Sequence, residues 1–352
     1  MLTPQRKKRL RQLWPWFLFL VIFYITWAVI VLAGDHLTDV RDNWGIAVAM
    51  AAGSYFAGST PMGGGTVGFP VLVLLFHQSA DIGRHFSFAV QSIGMVSASI
   101  FIICFRQPVE WRMLRWAMLG SLIGTPFGAA LIAPAVPQLF VKLLFAIIWC
   151  SFGIMHFIKG DEICRAQGIH EVQRKYERRI GLGLGLLAGA TIASITGVGI
   201  DMVIYAVLVL LFRADLKIAV PTSVILMAFT SLVGIGANLA LNAYDPATYV
   251  VQRKVLYAWL AAAPIVALGA PIGAFVVRRM KRKPTLMIVS ALCVIQFIWT
   301  IVQEGRNMSV LAFVGTFAGL ALFNAAFAVM YHLGGKKHLF HHIPSVGEPD
   351  PA

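Results

Sequence analysis

Thr60-Pro61-Met62-Gly63-Gly64-Gly65-Thr66-Val67-Gly68-Phe69-Pro70-Val71-Leu72-Val73-Leu74-Leu75-Phe76 has an echo 136 positions later. There the chain reads Thr196-Gly197-Val198-Gly199-Ile200-Asp201-Met202-Val203-Ile204-Tyr205-Ala206-Val207-Leu208-Val209-Leu210-Leu211-Phe212. Six residues in a row are identical, and the gapless pairing continues to Ile82 with Ile218 and Ser87 with Ser223. Eleven of the 41 positions 59–99 match, and aligned Thr, Gly and Ser flank the identical run, which apolar composition alone does not produce. Duplication around a Gly-interrupted apolar stretch is the pattern of secondary transporters built from internal repeats.

Composition sets the environment. Hydrophobic residues make up 59% of the 352 and charged residues 12%, about half the charge of a soluble domain. Several apolar runs reach the roughly 20 residues a helix needs to cross a bilayer. The runs are continuous rather than alternating, so the expected class is an all-α polytopic membrane protein and not a barrel. The net charge of +14 sits in termini and short loops beside apolar runs, as the positive-inside rule requires, and excludes a nucleic-acid surface. Cys104, Cys150, Cys164 and Cys293 form no CxxC pair and imply neither a disulfide nor a metal framework. No cofactor is expected. The run from Trp14 to Ala33 exceeds a signal-peptide core of about 7–15 residues, so a retained first helix is expected.

Two apolar segments, 45–77 and 180–212, are too long for one span, and each carries the Gly cluster near its middle. Helix breaks are expected at 58–65 and 194–199, leaving pairs of half-length helices. If each broken element returns to the side it entered from, Arg106, Arg112, Arg115, the loop 159–179, Arg213, Lys217, Arg278–Lys283 and the tail share the basic side. Arg253 and Lys254 then dissent, as snorkelling residues. The repeats are thereby inverted, each a broken re-entrant-like element plus three transmembrane helices. The divisions are a basic N-terminus and extra helix at 1–44, repeat one at 45–158, a charged cytoplasmic loop at 159–179, repeat two at 180–303, and an extra helix with tail at 304–352. Gly124-Thr125-Pro126-Phe127-Gly128 echoes Gly269-Ala270-Pro271-Ile272-Gly273 and supports the unit length. Both termini are expected in the cytoplasm.

Three glycines let the backbone leave helical geometry, and the half-helix that follows presents free N–H groups and a positive dipole end. Unwound backbone survives in a membrane only where it lines a cavity or is buried in protein. The expected ligand is a small anion held by Thr60, Gly63, Gly64, Gly65, Thr196, Gly197 and Gly199. Ser87 and Gln91 share one face of the next helix, with Thr222 and Ser223 in repeat two, and complete the candidate set. The same glycines also suit tight helix packing, and Thr222 also suits a cap. Asp201 aligns with Gly65 at mid-membrane depth, where a carboxylate is usually functional. It reads as a proton-coupling group or an N-cap, and His85 is the second proton-coupling candidate. Arg84 and Arg213 read as short-loop topological charges. His338, His341 and His342 read as part of a loose tail.

Gly63-Gly64-Gly65, four residues and Pro70 before a Leu/Val run resemble the first-repeat signature of the TauE/SafE family. Ala219-Val220-Pro221-Thr222-Ser223 resembles the family's Ala-Val-x-Thr-Ser pattern in repeat two. The resemblance spans about 45–303. It implies transport of sulfur-containing anions such as sulfite or organosulfonates across the bacterial inner membrane. Repeat two departs from the pattern, lacking Gly-Gly after Gly199 and the later Pro, and Gly83-Arg84-His85-Phe86-Ser87 stands where repeat one would carry Thr-Ser.

The expected function is alternating access around a central anion site. An anion channel would share facing half-helices, and a non-transporting membrane subunit would share the fold. No HExxH, GxSxG or paired-carboxylate constellation supports an enzyme. The partners expected are the bilayer and a small anion, with a homo-oligomer compatible.

Overall fold

The computed structural model describes residues 12–60, 64–171, 174–277, 282–335 and 341–343. In chain order the helices are α1 (Trp14–Ala33), α2 (Leu37–Asp42), α3 (Trp44–Ser59), α4 (Gly65–Leu75), α5 (Ala80–Cys104), α6 (Trp111–Ala135), α7 (Gln138–Arg165) and α8 (Arg174 to Thr196). Then come α9 (Ile200–Leu211), α10 (Leu216–Tyr244), α11 (Arg253–Val277), α12 (Arg282–Glu304) and α13 (Val310–Gly334). Nine of the described helices are long and apolar enough to cross a membrane, and α4 and α9 are shorter apolar helices. The protein is an all-α polytopic membrane protein.

The repeated Val-Leu-Val-Leu-Leu folds the same way twice. Val71–Leu75 and Val207–Leu211 both unwind into a π-turn. The residues that follow at matched positions, His77 and Arg213, both turn left-handed with φ near +50°. Ser79 and Asp215, again 136 apart, then cap α5 and α10 with their side-chain oxygens. Identical sequence, turn and cap chemistry produce the same supersecondary unit in each repeat.

Element one is α3 plus α4, and element two is α8 plus α9. In element one α3 ends at Ser59 and α4 begins at Gly65, and in element two the break falls at 197–199. The first halves are longer than expected: α3 has 16 residues, and the apolar part of α8, Glu177–Thr196, has 20. In α8 the charged first turns around Arg178 and Arg179 extend the helix beyond the apolar run. Arg178 lies over the Trp116 ring, 4.1 Å from its centroid.

Contacts sort the helix ends onto two faces. On the first face Asp42, Asn43, Phe76, Gln78, Lys254 and Tyr257 line one depression. Gln138 Oε1 accepts from the Ala80 N–H at 2.6 Å, the Tyr249 hydroxyl donates to the Ala130 carbonyl at 3.0 Å, and Lys142 pairs with Glu304 at 2.6 Å. On the second face the Glu110 N–H donates to Thr222 Oγ1 at 3.0 Å. There too the Asp215 N–H donates to the Gly168 carbonyl at 2.7 Å, and Lys283 pairs with Asp161 at 2.5 Å. Both ends of element one therefore lie on the first face and both ends of element two on the second. Each element dips and returns, from opposite sides, so the repeats are inverted. Residues 169–171 and 341–343 also pair as a three-residue antiparallel ladder, with Ile169 opposite Ile343. This replaces the expected loose tail at 341–343, while His338 lies outside the described residues.

The two repeats interlock. The second full span of each packs on the broken element of the other, α6 on α8 and α11 on α3, while α5 faces α10 and α7 faces α12. The Gly-x-x-x-Gly echo explains how. A Cβ at Gly124 or Gly128 would overlap the Leu186 or Ala190 carbonyl of α8, and one at Gly273 would overlap the Tyr55 carbonyl of α3. Small residues permit this backbone approach where lipid offers no hydrophobic drive to associate. Outside the repeats, α1 is fastened by three ring donors: Trp16 to Ser97 Oγ (2.9 Å), Tyr24 to the Pro264 carbonyl (2.6 Å) and Trp27 to the Leu260 carbonyl (2.8 Å). Most of α13 faces outward, with Val310 and Leu311 more than 80% exposed.

Candidate functional site

The second break turns on two left-handed glycines, Gly197 at φ +78° and Gly199 at φ +98°. Side chains other than glycine seldom take that geometry. Thr196 seals the turn: its Oγ1 lies 2.8 Å from the Ile192 carbonyl and 2.9 Å from the Val198 carbonyl, and it accepts from the Val198 N–H at 3.3 Å. Thr60 is buried at the first break, and Gly64 leads into α4. Pro61, Met62 and Gly63 lie outside the described residues, so Gly63 has no structural account.

The two breaks meet through Gln91. Its Nε2 donates to the Ser87 carbonyl at 3.0 Å and to the Gly197 carbonyl at 3.1 Å, a bond from repeat one to repeat two. Its Oε1 is buried without a partner among the described residues. A Cβ on Gly65 would lie 2.6 Å from Gln91 Nε2 and 2.9 Å from Ser87 Cβ, and would overlap Val198. One on Gly197 would lie 3.0 Å from Ser87 Cβ and overlap the Arg84 carbonyl. Gly65, Ser87, Gln91 and Gly197 thus form one cross-repeat contact, buried on all sides. Gly64 faces differently: its nearest would-be neighbour is Met50 at 3.7 Å, and it borders a void of about 10 Å³ shared with Gln91, Gly94 and Ala270. That is room for about one water, so the breaks are shut against each other.

The other candidates lie around this contact or away from it. Ser87 Oγ donates to the Gly83 carbonyl at 2.7 Å, within its own helix. A Cβ on Gly199 would meet Ile192 and Trp149, on a packed side. Asp201, 1% exposed, sits in the first turn of α9, where its Oδ1 accepts from the Met202 N–H at 3.1 Å. That geometry suits a carboxylate at a helix start. Thr222 Oγ1 donates to the Ile218 carbonyl at 2.6 Å while accepting from Glu110, so it ties the α5–α6 loop to α10. Ser223 Oγ donates to the Val220 carbonyl at 2.8 Å. His85 is buried between α5 and α10, with Nε2 3.1 Å from Asn238 Oδ1 and 3.1 Å from Arg84 Nη2.

Two basic residues differ from their reading as loop charges. Arg84 lies inside α5, mostly buried, 3.5 Å from Asp81. Ser79 starts α5 early and so draws Arg84 into the helix. Arg213 does lie in a short loop, but its Nη2 donates to the Tyr331 carbonyl at 3.0 Å and its guanidinium covers that ring. It therefore fastens α13 as well as carrying charge.

Thr66 was missed. Its Oγ1 is buried one residue inside α4, with no partner among the described residues. The signal was its place in the Gly-Gly-Gly-Thr run, beside Gly65.

A family model described as sulfite exporter TauE/SafE matches residues 45–300. The match begins at α3 and ends within α12, leaving out α1 and α13. No curated protein and no solved structure matches the chain. The chain belongs to the TauE/SafE family, a family of membrane transporters of sulfur-related anions.

Proposed function

We propose that this TauE/SafE member is a secondary transporter of small sulfur oxoanions or organosulfonates, working by alternating access around the meeting point of its two helix breaks. The observation that carries this reading is the Gln91–Gly197 bond at 3.1 Å, which joins α5 of repeat one, packed against Gly65, to the break of the oppositely entering repeat two. Alternating access needs such an interface, closed in one arrangement and opened by rocking one repeat against the other. The void of about 10 Å³ beside Gly64 favours a carrier over an open pore. Gly64, Gly65, Gln91, Thr60 and Gly197 would line the site once it opens, with the N–H groups at the starts of α4 and α9 as donors. Asp201 would serve proton coupling there, and His85 would relay at a distance.

The second face carries Arg106, Arg112, Arg115, Arg213, Lys217 and Lys283 and is read as cytoplasmic. Trp16 meets Phe101 near the second-face end of α5, so α1 starts on that side, and α13 ends there, where Arg213 holds the Tyr331 carbonyl. The membrane is read as the bacterial inner membrane.

Purified protein in proteoliposomes tests the function. Saturable, counterflow-capable flux of sulfite, thiosulfate, sulfoacetate or taurine is expected, against no flux of non-sulfur controls. Gly64→Leu, at a position whose Cβ would meet nothing closer than 3.7 Å, should abolish it without loss of protein from the membrane. Full activity in this variant would remove the central site.

A further inference from the structure

A polar-lined cavity lies away from the helix breaks. It occupies about 330 Å³ on the second face, between the ends of α5, α10 and α12, with α3 and α11 beneath. Arg106 and Lys217 line its walls and Gly58 and Ala274 its floor. Gln107 lines it too, and its Nε2 is buried with no partner among the described residues. Among the described residues no carboxylate lines it. The acidic groups nearest in sequence point to backbone instead: Glu110 Oε1 accepts from the Arg112 N–H at 3.1 Å and Asp215 Oδ1 from the Lys217 N–H at 2.7 Å.

Arg106 holds a position that favours glycine. It closes α5 at φ +50°, with its N–H donating to the Ile103 carbonyl at 2.9 Å and the next N–H to the Ile102 carbonyl at 3.1 Å. Glycine is the usual residue at such a helix end. An arginine there keeps the strain and adds a cation to the cavity wall. The cavity also leads somewhere. Gly58 and Ala274 line its floor, while Ala57 and Ala270 line the void at the breaks. The partition between the two is about one turn of α3 and α11, where the Gly58 backbone packs on the Ala270 carbonyl.

We infer that this cavity is an anion-binding antechamber on the second face, with Arg106 and Lys217 as its cationic walls and small oxoanions, sulfonates included, as its ligands. Its purpose rests on the reading of the chain as an anion transporter; its anion preference does not. A cleft of one sign with low-dielectric walls concentrates counter-ions and raises their encounter rates about 10- to 1000-fold.

The test is charge-selective labelling of a cysteine placed in the wall. In a background with Cys104, Cys150, Cys164 and Cys293 replaced, Val220→Cys is reacted with methanethiosulfonates bearing either a sulfonate or a trimethylammonium group. Each rate is normalised to that of a free thiol. The sulfonate reagent is expected to react at least about tenfold faster. In Arg106→Gln/Lys217→Gln the ratio should fall towards one, and in Arg106→Lys/Lys217→Arg it should persist. If the double neutral variant fails to give a monodisperse protein, each single variant should lower the ratio severalfold. A ratio near one in the parent, a ratio unmoved by neutralisation, or no labelling by either reagent would overturn the antechamber. Sulfite flux in the same preparations reports separately. Flux without charge preference removes the antechamber and keeps the transporter; preference without flux does the reverse.

Discussion

Gly64 and Gly65 are adjacent, yet alanine at each should act in opposite directions. At Gly65 the new methyl would lie 2.6 Å from Gln91 Nε2. It drives the amide off two carbonyls, Ser87 at 3.0 Å and Gly197 at 3.1 Å. Losing two buried hydrogen bonds costs about 2 kcal/mol, and overpacking against Val198 and Ser87 adds about 1–3 kcal/mol. Gly65→Ala should therefore lose about 3–5 kcal/mol. Gly64 has helical angles, φ −57° and ψ −26°, and its nearest would-be contact, at 3.7 Å, is an ordinary one. Alanine there gains about 0.4–1 kcal/mol by restricting the unfolded chain. Its methyl would, however, occupy the void that the ligand must enlarge. The expected pattern is a raised thermal unfolding midpoint with reduced sulfite flux for Gly64→Ala, and a lowered midpoint for Gly65→Ala. Tryptophan-fluorescence unfolding in detergent and proteoliposome flux read the two quantities. Midpoints that move together, or Gly64→Ala with full flux and unchanged substrate affinity, would refute the geometry.

Asp201→Asn keeps an oxygen that can accept from Met202, so the fold should survive; loss of the pH dependence of flux is expected, and an unchanged pH profile would exclude coupling through Asp201. Gly124→Leu and Gly273→Leu place side chains on the backbone of the opposite repeat and should cost upwards of about 3 kcal/mol, seen as loss of protein from the membrane. Leucine at Gly183 or Gly236, where nothing lies within 4 Å of a Cβ, should leave yield unchanged. In a cysteine-free background, Gln78→Cys and Lys254→Cys should react with impermeant reagents from one side of the membrane, and Arg213→Cys and Lys283→Cys from the other; mixed sidedness within either pair would break the two-face assignment.

Much of the fold was legible because its causes are local. The Val-Leu-Val-Leu-Leu-Phe run, the left-handed residue after it and the Ser or Asp cap are adjacent in sequence, so duplication of letters meant duplication of structure. Loop charge carried the rest: the even crossing inferred from Arg106, Arg112 and Arg115 is what the shared faces of Asp42 with Gln78, and of Gly168 with Asp215, require. What escaped the sequence depends on partners far along the chain. The breaks were readable as breaks, but that Gln91 would reach Gly197 across 106 residues was not. Nor was the orientation of Gly64 towards space and Gly65 towards packing, since a glycine run carries no phase. Thr222 illustrates the same limit from the other side. Its hydroxyl was visible, but its partner, the Glu110 N–H, belongs to a loop that only the folded chain brings near.

The repeats also differ in a way that bears on mechanism. In repeat one the polar group comes from the full helix, Gln91, and the half-helix presents Gly65, which packs directly against it. In repeat two the aligned residues are Met227, fully buried, and Asp201, itself buried at the start of its half-helix. Each half thus contributes one polar side chain near its break, but from opposite members of the pair. A symmetric protein would bring two amides or two carboxylates to the axis. This one has a permanently neutral amide on α5 that bonds to the second break and a buried carboxylate at the start of α9. Alternating access by inverted repeats needs only that the halves exchange conformations. Under the proposed coupling to a proton the halves would respond differently to pH, and the Gly65–Gln91 and Asp201–Met227 exchange would be the source of that difference.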